Sequence, residues 1–190
     1  MRIPAAYLPR PRVTRTDRRF SLLTKQILSS TSATVYFDNC LVGALVKADH
    51  PAEMPALAAL MREHVAGRLS LVASTEVLGE IERLPPKYQG PHLEVWKQLR
   101  RLPAANVSWI DEAAAPGVAP TDPDYERLRG ILPDETDRRH VLHAVRSGVE
   151  YFATVDRHTI LKHKGPLEAA FATKFSTPAE IARALNLVTT

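Results

Sequence analysis

The sequence predicts an α/β fold of three layers, α/β/α, with a central parallel sheet covered on both faces by helices. Three observations predict it. Strand-like apolar runs alternate with helix-like segments from residue 34 onward, the pattern of parallel sheets buried on both sides. Two of those runs, in "VYFD" and "YFATVD", end on an acid, where open α/β sheets carry their functional crevice. No internal repeat and no second domain interrupts the alternation.

The elements follow in order. Thr34 to Phe37 reads as a buried strand, and Leu41 to about Lys47 and Pro55 to His64 as helical material. Leu69 to Ala73 is a second apolar run, after which Ser74 can cap a helix whose Val77, Leu78, Ile81 and Leu84 repeat at helical spacing. Pro85-Pro86 ends that helix. Pro91 to Leu102 reads as a helix, Val107 to Ile110 as a strand, and the Ala-, Pro- and Asp-rich stretch from Asp111 to Pro123 as a loop. Tyr125 to Gly130 and Thr136 to Ser147 are helical, the second stopped by Gly148. Tyr151 to Val155 is another apolar strand, and "FSTPAEI" leads into a last helix ending near Leu185.

Composition bounds the chemistry. With 45% hydrophobic and 24% charged residues in 190, the chain is an ordinary globular length. Its one cysteine, Cys40, excludes an internal disulfide and any CxxC metal knuckle and fits a reducing, cytoplasmic setting. No run of about 18 apolar residues predicts a membrane span. The net charge of +4 is unevenly placed: residues 1–33 hold seven basic groups against the single acid Asp17, which leaves the remaining 157 residues at −2. The basicity therefore belongs to an N-terminal arm, 1–33, expected to be disordered, and the body, 34–190, is a single domain.

Four acids stand out. Asp38 and Asp156 close two strands and so reach the same edge of the sheet, although either also suits a turn. On the helix after Ser74, Glu80 lies about 90° from the centre of the apolar stripe, against about 110° for Glu82 and about 130° for Glu76, so Glu80 is the acid nearest the buried edge. Asp137 lies within about 40° of Val141 and about 20° of Ala144, an inward position that is costly for a lone charge. A plain helix-dipole role remains open for Asp137, and more so for Asp134 on the loop before it. Four converging carboxylates repel one another unless a cation neutralises them. Oxygen ligands select a hard ion, Mg²⁺ or Mn²⁺, which suits phosphodiester displacement.

These residues resemble the PIN domain family of metal-dependent nucleases, which includes VapC-like toxins of toxin–antitoxin pairs. "VYFDNCLV" resembles the first PIN motif, "STEVLGEIER" the second, and "DRRHVLHAVRSGVEYFATVD", with Asp156 placed 19 residues after Asp137, the third and fourth. The threonine often found between Asp and Asn in the first motif is absent, and the basic arm is no part of that fold. The resemblance implies an endoribonuclease in which Asp38, Glu80, Asp137 and Asp156 hold one or two Mg²⁺ or Mn²⁺ ions and the cut leaves a 5′-phosphate and a 3′-hydroxyl. It further implies that Asn39 and Thr154 orient carboxylates or water, and that His140 touches a phosphate or closes the crevice. Its implied partners are RNA, an antitoxin protein and a second copy of the chain.

Competing readings are weaker. His140 and His143 lack the cysteine partner of a transition-metal site. A phosphatase of the haloacid-dehalogenase type wants a second Asp where Cys40 stands, and a receiver domain wants an acid pair and a lysine not evident here. Arg138-Arg139 are placed either on RNA or on a solvated helix face, and Trp96 and Trp109 in the core or an interface. A catalytically silent PIN-like binding module, or a free-standing RNA-processing nuclease, remains the alternative to a toxin.

Overall fold

Strand residues here alternate between two buried faces, and that alternation fixes the layers. The computed structural model describes residues 32–101 and 122–189. Its strands are β1 (Thr34–Phe37), β2 (Ser70–Ala73), β3 (Arg100–Arg101), β4 (Tyr151–Ala153) and β5 (Lys174–Ser176), all parallel, in the order β3-β2-β1-β4-β5. Val35, Phe37, Leu71, Ala73, Tyr151 and Ala153 face one core, and Tyr36, Val72, Phe152 and Phe175 face the other. A strand buried on both sides leaves no polar alternation, which is why each run is continuously apolar.

The helices are α1 (Asn39–Lys47), α2 (Met54–Val65), α3 (Thr75–Arg83), α4 (Pro86–Gln98), α5 (Pro123–Arg129), α6 (Glu135–Arg146), α7 (Lys164–Ala170) and α8 (Pro178–Ala184). One layer brings Leu41, Leu57, Val77, Trp96 and Ile181 to the first core, and the other brings Leu128, Val141, Leu142 and Leu167 to the second. The predicted three-layer α/β/α arrangement is therefore the observed one. On the second face Tyr36, Phe152 and Phe175 lie on neighbouring strands and stack in a row, with ring centroids 4.9 and 5.3 Å apart. No helix among the described residues is long and apolar enough to cross a membrane.

The chain steps from β1 outward through β2 to β3, then returns to the other side of β1 for β4 and β5. That reversal lies between β1 and β4, the position where open α/β sheets leave a crevice at their carboxyl edge.

Several elements differ from their sequence reading. The helix expected from Pro91 begins at Pro86, and Pro91 lies inside it. Pro86 is the better starter because its missing N–H falls in the unbonded first turn, whereas Pro91 removes one internal bond. β3 follows at once where that helix was expected to continue to Leu102. β4 stops at Ala153, short of Val155, and the 3₁₀ turn Leu161–His163 and α7 had no counterpart in the sequence reading. Ser74 occupies its cap position but spends its hydroxyl on Tyr36. The expected N-terminal arm up to residue 31, the strand at Val107 to Ile110, Trp109 and most of the Asp111–Pro123 loop lie outside the described residues.

One tertiary cap ties two helices of the first layer, α2 and α8, together. Glu53, 8% exposed, accepts a 2.8 Å hydrogen bond from the Ala179 amide at the start of α8. Glu53→Ala leaves that half-buried N–H without its carboxylate, an expected loss of about 1 kcal/mol in urea unfolding. Unchanged stability in Glu53→Ala would refute the cap's role.

Candidate active site

Asp38 follows β1 directly and is the N-cap of α1, so one residue closes the strand and opens the helix. The turn former and the site acid are thus the same group. Its Oδ1 accepts from the Asn39 amide at 2.8 Å, and its Oδ2 accepts from the Thr154 hydroxyl at 2.7 Å and the Cys40 thiol at 3.0 Å. Phe37 pairs with Ala153 in register, which sets Asp38 beside Thr154. Thr154, fully buried, also accepts from the Asp156 amide at 3.0 Å. A single hydroxyl therefore ties the ends of β1 and β4 together. Burial, reinforced by the Asp38 charge, pushes the Cys40 thiol well above its usual pKa, so it stays a neutral donor.

Asp156 is wrapped by its own loop. Its Oδ1 accepts from the His158 and Thr159 amides at 2.8 and 3.0 Å, and its Oδ2 accepts from the Thr159 hydroxyl. Burial pushes this carboxyl up, but those hydrogen bonds and the nearby His158 outweigh it and hold the pKa below the usual range.

Asp137 stands at the third position of α6, whose cap is Asp134: the Asp134 carboxylate accepts from the Asp137 amide at 3.0 Å. Capping belongs to Asp134, which leaves the Asp137 carboxylate for the crevice. Burial raises its pKa to about 6, against a lowering by Thr159, and the charges of Asp134, Asp38 and Asp156 raise it further. The Asp137 carboxyl therefore lies close enough to Asp38 and Asp156 to feel their charges.

Glu80 meets a different partner. Its Oε2 lies 3.2 Å from His140 Nε2, and the imidazole Nδ1 lies 2.7 Å from the Tyr36 hydroxyl, itself 2.6 Å from Ser74 Oγ. With a neutral imidazole, Nε2–H faces the carboxylate, Tyr36 donates to Nδ1 and Ser74 donates to Tyr36; protonation of the ring reverses both hydroxyl bonds. Burial opposes the charged imidazole, yet Glu80, Asp38 and Glu76 raise its pKa. His140 is thus a buried link between Glu80 on α3 and Tyr36 on β1. One helical turn along, Glu76 lies 3.8 Å from His143, whose contact lowers the Glu76 pKa.

Other residues fall into structural roles. Arg138 is buried and donates to the Leu132 and Pro133 carbonyls at 3.1 and 2.9 Å, and Arg139 pairs with Glu135. The Arg138 guanidinium is therefore engaged by backbone carbonyls rather than displayed on a solvated helix face. Trp96 is in the core. Cys40, Tyr36, Ser74, Glu76 and Thr159 are contacts of the site that the motifs did not mark. Thr159 was findable, since an Asp followed three residues later by Thr suits a self-bonded turn.

The donor set fits a hard cation that keeps its own waters. Among the described residues no three of His, Cys, Asp and Glu form a ready-made metal cage. With about two lone pairs per carboxylate oxygen, Asp38 Oδ1 and Asp156 Oδ2 each retain one unused. Mg²⁺ asks for only one or two carboxylates. Among the described residues the buried Asn39 Oδ1 has no hydrogen-bond partner, and Asn39 donates to Asp38 through its backbone amide.

Thr154→Val is expected to lower metal affinity or activity about 10–100-fold and stability by about 1–3 kcal/mol, since two polar groups lose their partner. Thr154→Ser should restore most of both. Equal behaviour of Val and Ser variants in metal titration would remove the hydroxyl from this account.

Compared with models of protein families, with curated proteins and with solved structures, the chain matches none of them.

Proposed function

We propose that the chain is a Mg²⁺- or Mn²⁺-dependent endoribonuclease with a PIN-like site, acting as the toxin of a toxin–antitoxin pair. The observation that supports this most is the Asp137 carboxyl, which burial raises to a pKa of about 6, with the charges of Asp134, Asp38 and Asp156 adding to the rise. A site that keeps three such acids together is suited to divalent cation and phosphate chemistry.

In this reading Asp38, Asp137 and Asp156 hold the ion, with Glu80 reaching it directly or through water. When bound, the ion polarises a phosphoryl oxygen and lowers the pKa of a coordinated water. Thr154 and Cys40 fix the orientation of the Asp38 carboxylate, and the Thr159 turn fixes Asp156. His140 holds Glu80, with Tyr36 and Ser74 setting its ring. An antitoxin would fill the same acidic crevice with a basic side chain. A catalytically silent module is the second reading, favoured by the three hydrogen bonds that Asp156 takes from its own loop.

Cleavage of a structured RNA with Mg²⁺ or Mn²⁺, with and without EDTA, decides between them. Metal-dependent products carrying a 5′-phosphate are the expected result. Metal-independent cleavage would overturn the mechanism, and no cleavage with either ion would favour the silent module.

A further inference from the structure

Arg157 follows Asp156 directly and begins a strongly basic segment, "RHTILKHK", residues 157–164. This segment borders a cleft of about 400 Å³ lined by Arg157, Leu161, Lys162, Lys164, Thr177 and Glu180. β5 ends at Ser176 and Thr177 caps α8, so the cleft opens on the same carboxyl edge as the acids. Neighbouring strands lie about 5 Å apart, which sets it roughly one strand beyond Asp156. The link is rigid, because the Leu161 amide donates to the Asp156 carbonyl at 2.9 Å.

Its charge is unbalanced. Three cations face one acid, and Glu180 is already engaged in the α8 capping box and lies 3.5 Å from Lys164. Arg157 and Lys162 are exposed, and among the described residues neither has a carboxylate partner. Elsewhere on the surface Arg68, Lys97, Arg129 and Arg146 face an acid, while Lys47, Arg83 and Lys87 are exposed without an ion pair among the described residues, so what sets Arg157 and Lys162 apart is their place beside Asp156. Two exposed cations beside the acids give a polyanion an attachment that does not depend on the ion.

We infer that Arg157, Lys162 and Lys164 form a backbone-phosphate subsite that seats single-stranded RNA on the β5 side of the scissile bond. The inference rests on the ribonuclease reading for its ligand. Its recognition is of phosphate charge, without base specificity.

The test uses the full chain, a fluorescent unstructured RNA oligonucleotide and Ca²⁺ in place of the catalytic ion, with anisotropy read across a salt series. Arg157→Gln/Lys162→Gln is compared with wild type and with Arg68→Gln/Lys97→Gln, a control of equal charge change. The subsite variant should bind roughly tenfold more weakly, with a salt slope shallower by about 1.4, or 0.7 per phosphate contact on a single strand; the control should keep the wild-type slope. With Mg²⁺, KM should rise by the same factor while kcat is retained. Equal binding and slope in wild type and subsite variant would overturn the subsite and leave the nuclease reading standing. RNA binding lost in the subsite variant, without cleavage by wild type, would support the subsite and overturn the nuclease. Failure of wild type to bind RNA would overturn both.

Discussion

Asp38→Asn and Asp156→Asn are each expected to lower metal-dependent RNA cleavage by about 10³-fold or more, because an ion's stabilisation of the transition state is worth several kcal/mol. The two substitutions differ in what they do to the fold, and the difference makes the pair informative. At position 156 the two amides that bond Oδ1 still find an acceptor in asparagine. The new Nδ2 can donate to the Thr159 hydroxyl, which can accept as readily as donate. Asp156→Asn should therefore fold as wild type, so lost activity reads on the chemistry alone. At position 38 both oxygens already receive donors, from Asn39 on one side and from Thr154 and Cys40 on the other. An amide nitrogen turned toward Asn39 confronts a donor, and one turned toward Thr154 obliges that hydroxyl to give its proton to Cys40 Sγ and leaves the thiol without its acceptor, at a cost of about 1–3 kcal/mol. Asparagine caps helices about as well as aspartate, so that cost should not unfold the protein. Full cleavage by both variants, or a wild-type rate retained in EDTA, would defeat the proposed role of these acids.

The strand-end acids were legible because a strand buried on both faces is a continuous apolar run, and an acid closing one is conspicuous. Asp137 was legible from helical geometry, since its inward angle holds whatever the helix packs against. Glu76 was not. The helical wheel ranked it farthest from the apolar stripe, yet its side chain is 18% exposed against 23% for Glu80. α3 has a second covered side: Val77 and Ile81 enter one core while Glu76 and Glu80 face His143 and His140 on α6. Both pairs keep same-face spacing, but which helices meet is a long-range fact that periodicity within one helix does not contain. The basic segment after Asp156 was hidden for another reason. A body with net charge −2 averages a cationic edge against acids placed elsewhere, so charge summed over the chain conceals charge gathered in a cleft.

Asp137→Asn is expected to stabilise the metal-free protein above pH 7 and to weaken its response to added ion. The folded-state pKa, about 6, lies above the ordinary 3.8, so the folded protein retains a proton that the unfolded chain releases. Stability from this group is therefore unaffected below about pH 4, falls as pH rises toward 6, and stays reduced above it. A shift of this size corresponds to at most ~3 kcal/mol. Partial exposure and the favourable helix N-terminus reduce it to roughly 1–2 kcal/mol. Asparagine has no charge to bury and keeps the backbone amide on Asp134, so the variant should lack this fall between pH 4 and 6 in urea titrations without metal. Divalent ion should reverse the ranking at pH 7.5. An ion at a hundred times its Kd adds about 2.7 kcal/mol to wild type, and the variant should gain much less. Below pH 6 wild type should also lose its response, as protons compete for the same carboxylate. If Asp137→Asn instead destabilises the metal-free protein at pH 7.5, the charge is serving the helix and the site loses a ligand. If stability is flat from pH 4 to 6 in wild type, the Asp137 carboxyl is not held protonated by its buried position.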